Sequence, residues 1–252
     1  MSAPNANSQT LWSSIAKDKN YSGGSRTFAS EQQQQQTSNS NQQPTKPTPN
    51  AHSNKRTTSP SHKPQTSQAE KAVYILTLQT DAAHHARMTA LRAKYFPKHL
   101  NKLEAHLTFF HALPESRLDS DVLPALKNVA ASTQPFDIEA SHPFRMKKGF
   151  GISVPEGKGG RKAREVRAGL LGGWQDGEDG SWLSEQDAGT GYRAHYTVMN
   201  KVDDEGVVQK ALGEVESGWN GDRGRAVGLG LWRYERGYWK WVQGFEFGGG
   251  EM

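Results

Sequence analysis

The chain has 252 residues, enough for one large domain or two small ones. It contains no cysteine, which excludes disulfides, thiolate metal sites and cysteine nucleophiles, and no apolar run approaches the roughly eighteen residues of a membrane helix. Residues 1–70 hold seven Lys and Arg against three Asp and Glu, so they carry +4 of the net charge of +5. The rest is nearly neutral, which argues against a protein that coats nucleic acid by charge alone.

Residues 1–70 are predicted to be a disordered tail. A run at Gln32–Gln36 is followed by a mixture of Ser, Thr, Asn, Pro and Lys, which cannot bury enough apolar surface to offset its ordering entropy. Residues 10–29 contain scattered apolar side chains, which indicate either a docking motif for a partner protein or a tail with a few stray apolar residues. Nothing after Met1 resembles a signal peptide, so we expect an intracellular protein, cytoplasmic or nuclear, without membrane contact.

Ordered structure is predicted from Ala72 onward, as strands and helices. Apolar, β-branched runs predict strands, and apolar residues three and four apart predict helices. Asp81 caps the first helix and Pro97 ends it. The predicted elements, in chain order, are strand Ala72–Leu78, the helix after Asp81, strand Glu104–Leu113, helix Asp119–Ala131, strands Phe136–Ala140 and Gly149–Val154, helix Arg161–Leu171, strand Tyr192–Val202, helix Gly206–Val215, and strands Ala226–Glu235 and Tyr238–Phe247.

Two connections complete this prediction. The segment SHPFRMKK (141–148) is interpreted as a link between two strands, and Gly172-Gly173 as the end of a helix. The order helix, strand, helix, strand, strand then occurs twice. This repetition predicts a duplicated α+β unit.

A short motif occurs once in each half of the duplicated unit. It is HLTF at residues 106–109 and HYTV at residues 195–198, each within a predicted strand. Because side chains alternate along a strand, the His and Thr of each motif point to the same side. A duplicated fold would bring the two strands together across one cleft, so two imidazoles and two hydroxyls would face the same space.

The chemistry of such a quartet is specific. Two histidines can divide the roles of acid and base, and two threonine hydroxyls can donate hydrogen bonds to the non-bridging oxygens of a phosphate. These steps require neither a metal nor a covalent enzyme nucleophile, so we predict no metal and no cofactor. The alternative is a pair of half-buried strand histidines, each bonded to a neighbour.

The motif pair resembles that of the 2H phosphoesterase superfamily, and within it the 2′-5′ RNA ligase-like proteins. The similarity extends over roughly Ala72–Phe247 and includes VYILTL, YFPKHLNKLEAHLTFFHALP and AHYTVMNKV. It implies an α+β fold of two pseudo-symmetric lobes around a central cleft. The domain would span 71–252, with lobes near 71–140 and 160–252 and with strands exchanged between them.

The resemblance also implies a function. Members of the family act on RNA phosphodiesters: they open 2′,3′-cyclic phosphates, handle 2′-5′ linkages or trim 3′ ends. By motif, His106 and His195 become the catalytic pair, with acid and base unassigned, and Thr108 and Thr197 become the phosphate ligands. We therefore expect a monomer that acts on RNA or a nucleotide with a 2′,3′-cyclic or 2′-5′ phosphodiester.

Further substrate contacts are predicted at Arg145, Lys147 and Lys201. The first two precede a Gly-x-Gly turn, and Lys201 lies on the same strand face as His195 if the strand is regular. A solvated basic loop is the alternative. The aromatic residues of the last two strands are expected mainly in the core, although any that face the cleft could stack on a base. They are Trp232, Tyr234, Tyr238, Trp239 and Trp241.

Two other functions are compatible with the sequence. One is a module that binds a nucleotide or RNA end without turnover, although binding alone needs no acid–base pair. The other is a scaffold that acts through its tail. Removal of residues 1–70 distinguishes the scaffold, because an enzyme would keep its rate and a scaffold would lose its partner.

Overall fold

The computed structural model describes residues 64–175 and 182–248. The predicted tail therefore lies outside the described residues up to position 63, and so does the docking motif in 10–29.

The last residues of the predicted tail contact the folded part of the chain. The Ser67 hydroxyl donates a hydrogen bond to the carbonyl of Trp182, at 2.7 Å. Glu70 accepts a hydrogen bond from the Ser116 hydroxyl, at 2.6 Å. Chain packing therefore begins before Ala72, where the sequence pattern first indicates order.

The described elements follow the predicted order, with one additional strand and one additional short helix. In chain order they are β1 (Val73–Thr80), α1 (Ala82–Tyr95), β2 (Leu107–Pro114), α2 (Leu123–Ser132), β3 (Phe136–Ala140), β4 (His142–Met146), β5 (Gly149–Ser153), α3 (Gly160–Gln175), α4 (Glu185–Ala188), β6 (His195–Met199), α5 (Glu205–Gly218), β7 (Asp222–Glu235) and β8 (Tyr238–Glu246). Short helical turns precede α2 and α3. None of the helices within 64–175 and 182–248 is long and apolar enough to cross a membrane.

The strands form two antiparallel sheets. In the first sheet the order is β2-β1-β7-β3, and β8 pairs with the second half of β7. The second sheet has the order β4-β5-β6. Helices and antiparallel sheets together give the α+β fold that the sequence predicts.

Two helices each pack on the sheet to which their preceding strand does not belong. Helix α1 follows β1 of the first sheet and packs mainly on β6 of the second, while it also contacts β7 of the first. Helix α3 follows β5 of the second sheet, and its Arg167 donates a hydrogen bond to the carbonyl of Phe109 in β2, at 3.0 Å. This reciprocal packing joins the two sheets through their helices.

The interpretation of residues 141–148 as a link is wrong. Residues His142–Met146 form β4, which pairs with β5 in the register Phe144↔Gly151. Pro143 cannot donate a backbone hydrogen bond, which lowers the strand signal of this segment. An edge strand tolerates proline because its outer side has no partner strand, and β4 is an edge of the second sheet.

The predicted helix end at Gly172-Gly173 is also wrong, because α3 continues to Gln175. Trp174, in the next turn, is 4% exposed and packs against Phe110, with a ring-centroid distance of 4.8 Å. Burial of an indole contributes more than the roughly 1 kcal/mol that each glycine costs in a helix. Tertiary packing therefore outweighs the local stop signal.

Candidate active site

The two His-x-Thr motifs lie at equivalent places in the two sheets. His106 immediately precedes β2, and His195 is the first residue of β6. The residue between His and Thr is buried in both motifs: Leu107 is 1% exposed and Tyr196 is 2% exposed. His and Thr are therefore on the other side of each strand, away from the core.

Both motif histidines are anchored in the same way. The Nδ1 atom of His106 lies 2.8 Å from the carbonyl oxygen of Glu104, and Nδ1 of His195 lies 2.9 Å from that of Arg193. A carbonyl oxygen can only accept, so Nδ1 must carry the hydrogen in each ring. Nε2 is therefore the nitrogen of each neutral ring that can accept a proton.

A buried arginine connects the two motifs. Arg92 of α1 donates from Nε to the carbonyl of Leu103 and the side chain of Asn101, at 3.1 and 3.0 Å, in the loop before His106. Its Nη1 donates to the carbonyl of Thr197, at 2.7 Å. Burial lowers the pKa of Arg92 to about 10, so the guanidinium remains charged at neutral pH. One side chain thus links the loop before the first motif to the threonine of the second motif.

Arg167 of α3 makes the corresponding connection in the other direction. Besides Phe109 in the first motif, it donates to the carbonyls of Asp187 and Gly189, at 2.6 and 3.0 Å. Those two residues lie in the segment that leads to the second motif. Sequence reasoning missed both arginines, whose only signal is a charged residue on the apolar face of a helix.

A third connection lies beneath the second motif. His84 is fully buried; its Nδ1 lies 2.5 Å from Asp222 and its Nε2 lies 3.0 Å from the hydroxyl of Tyr196. Burial would raise the pKa of Asp222, but hydrogen bonds from Arg87 and His84 lower it on balance. This network fixes Tyr196, the central residue of the second motif, against α1.

Each motif histidine has an aromatic neighbour. The ring centroids of His106 and Trp239 are 4.4 Å apart, and those of His195 and Phe144 are 5.6 Å apart in an edge-on arrangement. Phe144 lies in β4, the strand that the sequence pattern did not predict. Gly151, opposite Phe144, permits this approach, because a Cβ atom there would lie 2.9 Å from the phenyl ring.

The environment of His106 shifts its titration. Burial, with a smaller contribution from the charge of Arg92, lowers the pKa of His106 to about 3. The imidazole is therefore neutral near pH 7 and presents a free lone pair on Nε2. It lines a cavity of about 30 Å³ together with Thr77, Gln79 and Tyr196, which is room for one small group.

The lowered pKa of His106 should be measurable as a pH dependence of stability. Between pH 6.5 and about 3, the unfolded chain binds a proton at residue 106 and the folded chain does not. As the pH is lowered through this range, the free energy of unfolding should decrease. The contribution from this group is at most about 1.4 kcal/mol per pH unit. Urea unfolding of His106→Gln should show a shallower pH dependence than the wild type, whereas His99→Gln, at an exposed position, should not. Equal slopes for wild type and His106→Gln would contradict the shift.

The three basic residues predicted to contact substrate occupy different surroundings. Arg145 is on the face of β4 opposite Phe144; it donates to the carbonyl of Gly149 at 3.0 Å and lies 3.6 Å from Glu205. Lys147 is exposed in the turn between β4 and β5.

Lys201 lies beyond the end of β6 and has a φ of 65°, so strand alternation does not reach it. It is close to the β4–β5 turn, since Val202 donates to the carbonyl of Lys148 at 3.0 Å. Lys147 and Lys201 thus lie at one end of the second sheet. His195 is at the other end of β6, about 13 Å away along the strand. Their contact with substrate stays a prediction, as does that of Arg145.

The expectation that the C-terminal aromatic residues are mainly core is wrong for the tryptophans. Trp232, Trp239 and Trp241 are only half-buried, and Tyr238 is 56% exposed. Helix α2 packs against β7 and β8, whose buried side chains include Leu229, Leu231 and Phe245. The tryptophans lie on the opposite face of the sheet. Within 64–175 and 182–248, no group of three or more His, Asp or Glu is placed to hold a metal ion.

Comparison with known proteins gives a family and a fold. Among solved structures, TT0787 of Thermus thermophilus is similar, with a TM-score of 0.50 and 15% identity over 71% of this chain and 100% of that chain. Apo LigT of E. coli has a TM-score of 0.46 and 11% identity, over 71% and 99% of the two chains. A protein described as a phosphoesterase has a TM-score of 0.45 and 11% identity, over 70% and 98%. The likeness to TT0787 supports the fold alone.

Curated proteins include no match to this chain. A family model, described as the 2′-5′ RNA ligase superfamily, matches residues 80–238. This match covers more than half of the chain and contains both His-x-Thr motifs. The chain therefore belongs to the 2′-5′ RNA ligase superfamily.

Proposed function

We propose that the protein is a metal-independent phosphodiesterase that opens 2′,3′-cyclic phosphates on nucleotides or RNA ends. The observation that carries this proposal is the matched anchoring of His106 and His195, each through Nδ1 to the carbonyl two residues earlier. Structural histidines need no such match, whereas an acid–base pair needs both Nε2 atoms free and directed.

We assign the base to His106. Its pKa lies well below its usual range, so it is neutral at physiological pH and able to accept a proton. A bound phosphodiester anion opposes the effects of burial and of Arg92 and raises this pKa toward the range of an effective base. His195, at the more exposed position, is assigned as the acid.

The proposed reaction balances with water as the only co-substrate. Nε2 of His106 takes a proton from water, the water oxygen bonds to phosphorus, and the bond from phosphorus to one ribose oxygen breaks. That oxygen takes a proton from His195. The products are a phosphomonoester and a ribose hydroxyl, and the histidines then exchange protons with solvent. Thr108 and Thr197 donate hydrogen bonds to the non-bridging oxygens, on which negative charge increases in the transition state.

The proposal includes the organisation of the chain. Residues 71–252 form the catalytic unit as a monomer, in which the lobes share strands. The tail acts separately, either as a partner-binding segment or as a spacer. Under this proposal, a chain that lacks residues 1–63 keeps its turnover. Absence of turnover in both chains, with loss of a partner protein when the tail is removed, would favour the scaffold alternative instead.

An activity panel tests the proposed reaction. The full-length chain is offered 2′,3′-cyclic nucleotides, 2′-5′-linked dinucleotides and 3′-tailed oligoribonucleotides, each with and without EDTA, and products are separated by chromatography. We expect turnover of the cyclic phosphates at equal rates with and without EDTA. Loss of turnover in EDTA that Mg²⁺ or Mn²⁺ restores would contradict the mechanism, and turnover of the 2′-5′ linkage alone would change the assigned substrate.

A further inference from the structure

The face of the second sheet that carries the second motif holds a row of three polar side chains. His142, Ser153 and His195 are successive register partners across β4, β5 and β6. Directly opposed residues of antiparallel strands place their side chains on one face of the sheet. Ile152 and Tyr196, their neighbours in β5 and β6, are buried on the other face. His142 therefore lies on the face of His195, two strands away, with about 10 Å between the Cα atoms.

Arg193 adds a cation to the same face. The pairing of the two strands continues beyond β6, since the backbone N–H of Val154 donates to the carbonyl of Ala194 at 2.9 Å. Ala194 is 4% exposed and so lies on the core side, whereas Arg193 and His195 are both exposed. By alternation Arg193 is on the face of His195, diagonally across from Ser153, at roughly 7–8 Å between strands.

The side chains of Arg193 and His142 are available to a ligand. Among the residues that the structure describes, neither the guanidinium nor the imidazole has a hydrogen bond or an ion pair. Other exposed arginines do have carboxylate partners, as Arg225 has Asp137 at 3.4 Å. The Ser153 hydroxyl donates to the carbonyl of His142, at 3.0 Å. This small side chain is thus held against the backbone and leaves a shallow space between the two histidines.

We propose that Arg193 and His142 bind a second phosphate group of the substrate, on the His195 side of the scissile phosphate. In the proposed reaction His195 protonates the ribose oxygen that leaves, so the ribose lies over Ser153. The phosphate on the 5′ carbon of that ribose then takes hydrogen bonds from the guanidinium, which suits phosphate geometry, and from an imidazole N–H. The position of the ribose rests on the proposed function; the pair of free donors beside His195 does not.

This subsite favours a nucleoside that is phosphorylated at both its 3′ and its 5′ positions. The last nucleotide of an RNA strand has such a 5′ phosphate, as a phosphodiester to the preceding nucleotide. A 5′-phosphorylated mononucleotide has it as a terminal group. A simple 2′,3′-cyclic nucleoside phosphate lacks it, and we therefore expect it to be the weaker substrate.

Calorimetric titration of the full-length chain tests the subsite with three probes: adenosine 3′-monophosphate, adenosine 3′,5′-bisphosphate, and the dinucleotide of adenosine that ends in a 3′ phosphate. The last two should bind about tenfold or more tightly than the first, the equivalent of one hydrogen bond to a charged group. A difference for only one of them would keep the subsite and identify whether a terminal phosphate or a phosphodiester is bound.

Variants assign the tighter binding to the two side chains. Arg193→Gln and His142→Gln should each raise the Kd for the bisphosphate and the dinucleotide, and leave the Kd for the 3′-monophosphate unchanged. The titrations are made in 0.15 M salt, where the Debye length of about 8 Å limits any effect of the lost charge on the more distant phosphate. Arg161→Gln, which removes an exposed arginine of α3, is the matched control and should bind all three probes like the wild type.

Nuclear magnetic resonance of the wild type avoids any effect of the substitutions on folding. The imidazole resonances of His142, assigned with His142→Gln, should shift on addition of the bisphosphate and not of the 3′-monophosphate. Equal Kd values for all three probes, no binding of the bisphosphate, or wild-type binding by both variants would overturn the subsite. If tighter binding depends on Arg193 and His142 but no cyclic phosphate is opened, the proposed function fails and the subsite stands. Turnover of cyclic phosphates without tighter binding of the bisphosphate or dinucleotide gives the reverse.

Discussion

Replacement of His106 or His195 with alanine is expected to lower kcat/KM for a 2′,3′-cyclic nucleotide by about 10²–10⁴-fold, the usual contribution of a positioned acid or base. Each ring is hydrogen-bonded through Nδ1 to a main-chain carbonyl that is at most partly buried, so water can replace the ring there in the variant. Folding should therefore change little while proton transfer is lost. Steady-state kinetics with product detection measures the effect.

The threonines and a surface histidine provide the comparison for this experiment. Thr108→Val and Thr197→Val each remove one hydroxyl donor, and should cost about 10- to 150-fold, the equivalent of one hydrogen bond to a charged group. His99→Ala, exposed and outside both motifs, should leave kcat/KM unchanged. If His106→Ala and His195→Ala fold and keep full activity, the site assignment is wrong.

Replacement of Arg92 with methionine is expected to have the second large effect, on both stability and turnover. The substitution leaves the carbonyls of Leu103 and Thr197 without this donor in a partly buried setting. The loss of hydrogen bonds from a charged group should lower the free energy of unfolding by about 3 kcal/mol. Because the same bonds relate the two motifs, kcat should fall by about 10- to 100-fold in protein that is still folded. Urea unfolding and kinetics at a low temperature measure the two effects separately.

Two variants test whether the guanidinium geometry of Arg92 matters. Arg92→Lys keeps the charge but offers a single point donor, so it should recover part of the stability and little of the turnover. Arg161→Ala removes an exposed arginine of α3 that lies 3.8 Å from Glu165, and should change neither quantity. Full turnover in Arg92→Lys and Arg92→Met would show that the two motifs hold their positions without this contact.

The parts of the fold that were predictable are those in which local pattern and tertiary environment agree. Strand β1 is an apolar run that is buried along its whole length, and α1 begins at Asp81, whose side chain accepts from the backbone of His84 at 2.9 Å. The repeated His-x-Thr pattern also follows local rules, since strand alternation alone puts Leu107 and Tyr196 in the core. In such places the sequence carries enough local information.

The parts that were missed depend on neighbours distant in the chain. β4 exists because β5 offers a free edge, and α3 passes two glycines because Trp174 packs on Phe110. The tryptophans of β7 and β8 look like core by composition, but they are only half-buried, on the face opposite Leu229, Leu231 and Phe245. A bulge between β7 and β8 also changes the alternation, so that Gly244 and Trp241 share one face of the sheet. Neither the surroundings of a sheet face nor a bulge between two strands can be read from the periodicity of one strand.

The candidate site shows the same division. His106, His195, Thr108 and Thr197 are predicted as site residues because the spacing of His and Thr is repeated. Arg92 joins residues 101–103 to Thr197, a contact between segments about a hundred positions apart for which no local pattern exists. Such contacts leave only a weak signal in the sequence: a polar residue at a helix position where the periodicity favours an apolar one. This signal can be interpreted only once the packing is known.

The central claim is that the two motifs act on one phosphodiester as a single acid–base pair, and a double-variant cycle tests it most directly. Values of kcat/KM for a 2′,3′-cyclic nucleotide are measured for the wild type, His106→Ala, His195→Ala and the double variant. If the histidines act in one transition state, the double variant should be no more than about tenfold slower than the slower single variant, because groups that act as a unit are strongly non-additive. Losses that multiply, or a single variant with wild-type activity, would contradict the account.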